Sequence, residues 1–328
     1  NSFNQSPGRQ YFVRSGITST QPIDLHVDLG NYCNLACKMC NARASSTIAS
    51  QQVKWGIESS RQYLGTDWTQ DDRVWNSFLQ QLLDIPALNN IHFMGGETLI
   101  TKRFEDFVDH MIEHDRLDLC FSFVTNGTAV QPELMNKLTK FRRVGIEVSI
   151  ETVDSRNSYQ RQGTDTDLVL ANLRRYQDWC NGSNITLTVR PAVSALTIGS
   201  FPGLLQHCLD QKLIVKSLLV TKPAYLDAAI LPATVKQQYL AQYRDLLAQL
   251  DTVQVPVDYN ASDPHNHVLI VKKQAQMCVN ILSAPEPDNS NELRQHLVDH
   301  CRKWDQVYQY NARELYPELM DIWNRYGY

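Results

Sequence analysis

The sequence lacks a surplus of positive charge, a long apolar run and evenly paired cysteines. Its 31 Lys and Arg are outnumbered by 35 Asp and Glu, for a net charge of −4. No chain-wide excess of cations therefore exists to displace counterions from nucleic-acid phosphates. No apolar stretch approaches the roughly 20 residues that span a bilayer. The opening Asn-Ser-Phe-Asn-Gln-Ser carries no signal-peptide core. The expectation is a cytoplasmic protein with no membrane or nucleic-acid partner. With 43% hydrophobic and 20% charged residues, the chain can bury a sizeable core. Its 328 residues accommodate one α/β barrel with an appendage.

Short β-rich runs alternate with longer helical ones between residues 23 and 222. Strands are expected over 23–29, 90–94, 119–125, 145–151, 184–191 and 213–221, with helices over 104–114, 133–143, 167–179 and 201–211. This rhythm implies βαβ crossovers and a parallel sheet. Six units are too few to close an eight-fold barrel, so an open, partial (β/α)6 barrel is expected. Residues 1–22 read as an N-terminal extension. Residues 223–328 read as a mostly helical C-terminal module, with helices over 234–250, 292–305 and 312–326 and a polar, turn-rich stretch at 258–266.

Three of the eight cysteines, Cys33, Cys37 and Cys40, fall within eight residues, while Cys120, Cys180, Cys208, Cys278 and Cys301 are scattered. Such clustering favours a metal site in a reducing compartment over disulfides. The trio follows the first expected strand, on a loop at its C-terminal end, where open parallel sheets bind ligands. Three thiolates can hold three irons of a [4Fe-4S] cluster and leave the fourth iron without a protein ligand. The spacing alone also fits a structural zinc site completed by Cys278, Cys301 or His26.

Four motifs at successive strand ends carry a resemblance. Cys33-x3-Cys37-x2-Cys40, Gly95-Gly96-Glu97, Thr125-Asn126-Gly127 and Ser149-Ile150-Glu151 together resemble the radical S-adenosylmethionine (SAM) superfamily over about residues 23–222. The resemblance implies a [4Fe-4S] cluster on the three cysteines and SAM on the open iron, cleaved reductively to a 5′-deoxyadenosyl radical that removes a substrate hydrogen atom. It implies an electron donor of flavodoxin or ferredoxin type. Gly95 and Gly96 would let the backbone approach the methionine amino group, and Glu97 would accept from it. Asn126 joins the cofactor-binding set, and Ser149 and Glu151 would meet the ribose. In the fourth strand Ile146, Val148 and Ile150 alternate with Glu147, Ser149 and Glu151, so an apolar face packs on helices and a polar face looks into the barrel. Arg190 in the fifth strand and Arg161 after the fourth compete for the SAM carboxylate, with Glu147 or Glu151 as alternative partners of Arg190. Asp24, His26, Asp28, His92 and Met94 are substrate-side candidates that would serve equally as hydrogen-bonded interior residues.

Two features depart from the family pattern. Met39 stands where many relatives carry an aromatic beside adenine, and its adaptable thioether can fill that place. Tyr316-Pro-Glu-Leu and Ser45-Ser46 resemble members with a SPASM or twitch extension, yet only Cys278 and Cys301 lie beyond the barrel, too few for auxiliary clusters. Relatives of that type often modify ribosomally made peptides, so a peptide or protein substrate is expected, with crosslinking or epimerisation among the outcomes. An exposed thiol at Cys278 or Cys301 would act as hydrogen donor in an epimerisation. A small-molecule substrate, or a non-catalytic metal-binding protein of the same fold, are the alternatives.

Overall fold

Alternating runs become strands and amphipathic runs become helices in the computed structural model, which describes residues 22–65, 67–253 and 266–328. β1 (Asp24–Asp28) opens the fold and is followed by α1 (Ser46–Lys54), α2 (Asp72–Leu83) and β2 (Asn90–Met94). Next come α3 (Lys102–Glu113), β3 (Cys120–Thr125), α4 (Pro132–Leu138) and β4 (Arg143–Val148). The series continues with α5 (Arg156–Gln160), α6 (Thr166–Cys180), β5 (Ile185–Val189), α7 (Phe201–Asp210) and β6 (Ile214–Val215).

These six strands form one sheet in the order β1-β2-β3-β4-β5-β6. The pairs β1–β2, β2–β3, β3–β4 and β5–β6 are parallel. Every crossover steps to the next strand in the same direction, and the right-handed preference then keeps successive helices on one face. That is the winding of a (β/α) barrel left open after six units, as the sequence leads one to expect.

Two compact units divide the chain. The first comprises the residues up to Ala36, Cys40–Val148 and Ala171–Leu187. Its core forms because one face of each strand is apolar, and that of β2 and β3 is aromatic. Phe93, Phe121 and Phe123 are at most 2% exposed and pack on α3, with ring centroids 4.7 Å apart for Phe93–Phe107 and 4.8 Å for Phe104–Phe123. The opposite face is polar. Register aligns His26, His92, Ser122 and Gly145 in one row across β1–β4.

The second unit comprises Cys37–Met39, Ser149–Leu170 and Thr188–Tyr328. It holds β6, α7 and the C-terminal helices α8 (Ala233–Asp251), α9 (His267–Ser283), α10 (Ser290–Tyr308), α11 (Ala312–Leu315) and α12 (Met320–Arg325). No helix among the described residues is long and apolar enough to cross a membrane.

Four boundaries differ markedly from expectation. The helix expected over 133–143 ends at Leu138, and Arg143 already belongs to β4, whose residues pair with β3. The strand expected over 145–151 ends at Val148, because the Glu151 N–H turns to the Asn157 side chain (2.9 Å). The strand expected over 213–221 splits: Gln274 takes the Ser217 N–H (3.0 Å), and Leu218–Leu219 then pairs with Ala192–Val193 in a separate two-stranded sheet. The helix expected over 312–326 breaks at Pro317, which cannot donate to a continuing helical ladder. The expected extension 1–22 lies outside the described residues except for Pro22, as does most of the stretch 258–266.

Candidate cofactor site

The cysteine loop is sewn to the start of α1. Ser45 caps that helix, accepting from the Ile48 N–H (3.2 Å), and donates to the Leu35 carbonyl (2.7 Å). Thr47 Oγ1 donates to the Cys33 carbonyl (2.6 Å), and the Cys33 N–H donates to Ser46 Oγ (3.2 Å). The Leu35 N–H points at Cys33 Sγ (3.5 Å). Cys33, Cys37 and Cys40 are all half-buried, and no disulfide joins them.

Gly95 and Gly96 have a reason within the chain itself. Both lie at positive φ, +96° and +52°. A Cβ on Gly95 would meet Asp28 Oδ1 at 2.0 Å, and one on Gly96 would meet the Tyr32 carbonyl oxygen at 2.2 Å. Only glycine lets this turn press against the backbone that leads into Cys33. The Glu97 N–H then donates to the Tyr32 carbonyl (2.8 Å). The Glu97 carboxylate, 1% exposed, accepts from Thr125 Oγ1 (2.6 Å), the Asn126 N–H (2.6 Å) and the Leu99 N–H (3.1 Å). Asn126 Nδ2 in turn donates to Asn34 Oδ1 in the cysteine loop (2.8 Å). The GGE and TNG motifs thus form one hydrogen-bonded frame around the segment 32–34.

Elsewhere in the first unit, His92 Nδ1 lies 2.8 Å from Ser122 Oγ, and the His26 and His92 ring centroids are 5.1 Å apart. His26, Asp28 and Met94 are exposed, whereas Asp24 and His92 are half-buried. Asp28 Oδ1 accepts from the Gly30 N–H (2.9 Å).

In the second unit, Glu151 is fully buried and receives a bidentate ion pair from Arg161, Nε–Oε2 2.5 Å and Nη2–Oε1 2.8 Å. The Ala192 N–H adds a third donor at 3.2 Å. Arg161, one of the two expected carboxylate binders, is therefore engaged with the residue expected to meet the ribose. Its remaining nitrogen, Nη1, donates to Cys37 Sγ at 3.6 Å. Ser149 is buried at the end of β4, and Arg190 and Met39 are half-buried.

Cys278 and Cys301 do not match the exposed thiol expected of a hydrogen donor. Both are 0% exposed, within α9 and α10. Burial pushes the Cys278 thiol up to about 12, against a hydrogen bond from Tyr243. Burial also raises Cys301, against the pull of Lys38.

Lys38 is a site residue that sequence reasoning passed over. Although 3% exposed, its ammonium lies 4.1 Å from the Tyr159 ring centroid and 4.2 Å from that of Trp304. Burial pushes its pKa down to about 8, against the pull of Cys301 and Asp305. Its position between two clustered cysteines is a signal; its aromatic partners, far off in sequence, give none.

The donor set fits an iron–sulfur cluster. An N–H aimed at one sulfur and a guanidinium at another are the contacts that stabilise thiolate ligands. A family model agrees: the Radical SAM superfamily matches residues 27–190. The chain belongs to that superfamily, whose members use a [4Fe-4S] cluster and SAM, and the membership decides for the cluster over zinc. Among curated proteins it is similar to the radical SAM cyclopropyl synthase TigE of Paramaledivibacter caminithermalis, 24% identical over 155 residues that cover 45% of this chain and 31% of that protein. Among solved structures it is similar to hexahistidine-tagged anSMEcpe with bound AdoMet, with a TM-score of 0.51, 17% identity, and 70% and 62% of the two chains covered. It is also similar to SuiB of Streptococcus suis bound to precursor peptide SuiA, with a TM-score of 0.49, 15% identity, and 76% and 51% covered. The chain spans less than two thirds of the length of each of these three proteins.

Proposed function

We propose that this chain is a radical SAM enzyme acting on a peptide or protein, with Cys33, Cys37 and Cys40 as ligands to three irons. The observation that carries the reading is the cysteine loop, framed by Glu97, Thr125 and Asn126 and touched at its sulfurs by N–H donors. SAM bound at the remaining iron supplies hydrogen-atom abstraction through a 5′-deoxyadenosyl radical. The chain's own residues position and shield. Gly95, Gly96 and Glu97 would serve the methionine amino group, Ser149 and Glu151 the ribose, and Arg190 or Arg161 the carboxylate. Met39 would pack on adenine, and Asn126 fixes the loop through Asn34. A flavodoxin- or ferredoxin-type donor supplies the electron.

The sheet edge at Leu218–Leu219 supports a peptide as substrate. The Leu218 and Val220 N–H groups pair inward with the Pro191 and Val193 carbonyls at 2.8 and 2.9 Å. In a parallel ladder the groups of the intervening Leu219 then face outward. Leu218 and Leu219 are 54% and 42% exposed. This edge of the two-stranded sheet, unpaired among the described residues and bearing apolar side chains, suits an extended peptide added as a further strand. On this reading residues 223–328 are a twitch-like module without a cluster.

The test is anaerobic reconstitution, reduction and incubation with SAM, followed by mass spectrometry of the products. Peptides should stimulate 5′-deoxyadenosine release, and Leu219→Pro, which removes an outward N–H, should raise the KM for peptide with little change in kcat. Stimulation by a free amino acid, sugar or nucleoside but by no peptide would overturn the substrate class.

A further inference from the structure

Three consecutive residues of the second unit each grip the Cys37-Lys38 pair. The Tyr159 ring covers the Lys38 ammonium at 4.1 Å, the Gln160 carbonyl accepts from the Lys38 N–H at 2.7 Å, and Arg161 donates to Cys37 Sγ at 3.6 Å. From α10, Trp304 covers the ammonium at 4.2 Å. The gripping residues are themselves held. Gln160 Nε2 donates to Tyr316 Oη at 2.8 Å, and Arg161 is locked by the fully buried Glu151.

A surface lysine would remain in water, where its ammonium is well hydrated. Here the ammonium is enclosed and is stabilised by two π faces, an interaction that strengthens when the cation is desolvated. The side chain therefore acts as a peg: it cannot move without exposing both rings or leaving the charge buried alone. The peg sits beside one cysteine and two residues before another. Arg161 meanwhile places a cationic donor on a ligand sulfur, a contact that favours the more negative, reduced state of an iron–sulfur cluster.

We propose that Tyr159, Gln160, Arg161 and Trp304 form a clamp in which Lys38 is a positioning residue that holds the cysteine loop and Arg161 raises the reduction potential of the cluster through Cys37. The inference rests on the cluster reading above. It makes helix α10 a determinant of cluster retention, although none of the three clustered cysteines lies on it.

The experiment uses the full chain, reconstituted anaerobically, without SAM. An EPR-monitored redox titration gives the midpoint potential, and release of iron to a chelator gives the rate of cluster loss. Arg161→Met should shift the midpoint to a more negative value, and Arg161→Lys should restore part of the shift. Trp304→Leu and Lys38→Met should speed iron release by about tenfold or more, the scale seen for outer-shell partners. Trp304→Phe and Lys38→Arg, which keep the ring and the charge, should stay near the wild-type rate. Circular dichroism identifies any variant that fails to fold, and the conservative pair then decides. A wild type that forms a cluster while Arg161→Met keeps its potential and Trp304→Leu its release rate overturns the clamp alone. A wild type that forms no cluster overturns both readings.

Discussion

Glu97 is a buried carboxylate with three protein donors, the Thr125 hydroxyl and the Asn126 and Leu99 N–H groups. Glu97→Gln would turn an amide toward one of those donors and leave it unsatisfied. We expect a loss of about 1–3 kcal/mol in chemical denaturation, together with a lower yield of reconstituted cluster. Gly96→Ala faces both a positive φ and the Tyr32 carbonyl, so it should cost at least ~1–2 kcal/mol by the same measurement. Thiol chemistry separates the eight cysteines. Burial raises Cys208 and Cys278 to about 12, so at pH 8 only roughly one thiol in ten thousand is the reactive thiolate. In metal-free native protein, iodoacetamide at pH 8 should label Cys33, Cys37 and Cys40 while sparing Cys208, Cys278 and Cys301, and all eight should react in denaturant. Labelling of native Cys278 or Cys301 at the rate of the loop cysteines would contradict the burial described above.

At the scale of elements, the strands were legible where one face is strictly apolar. β2 and β3 fall within a residue of their expected ranges because Phe93, Phe121 and Phe123 must meet α3. β6 was not legible, since its early end depends on Gln274, 57 residues away, taking the Ser217 N–H. The positions of the GGE and TNG motifs were readable as strand ends, but their mutual hydrogen bonds were not, because local spacing carries no information on cross-strand partners. The tail Tyr316-Pro-Glu-Leu was readable only as a resemblance. In the structure Tyr316 is fully buried and meets Gln160, while Glu318 pairs with Arg156 at 2.9 Å. Tyr316→Phe removes the hydroxyl and leaves the Gln160 amide unpaired, so we expect about 1–3 kcal/mol of destabilisation. If the clamp is continuous, the same variant should lose iron to a chelator faster. Tyr316→Phe with wild-type denaturation would show that this contact bears no stability.

For the whole molecule, the family's chemistry requires a cluster iron without a protein ligand, and every role assigned to Gly95, Glu97, Ser149, Arg161 and Arg190 depends on it. Replacing Cys33, Cys37 and Cys40 together by Ala should remove the cluster's visible absorbance and all SAM cleavage. The most direct test is EPR of the reduced, reconstituted protein with and without SAM. Binding of SAM at an open iron should change the g values of the [4Fe-4S]+ signal and leave spin per chain intact. A spectrum unaltered by saturating SAM, or a centre whose coordination is completed by side chains, would contradict the account.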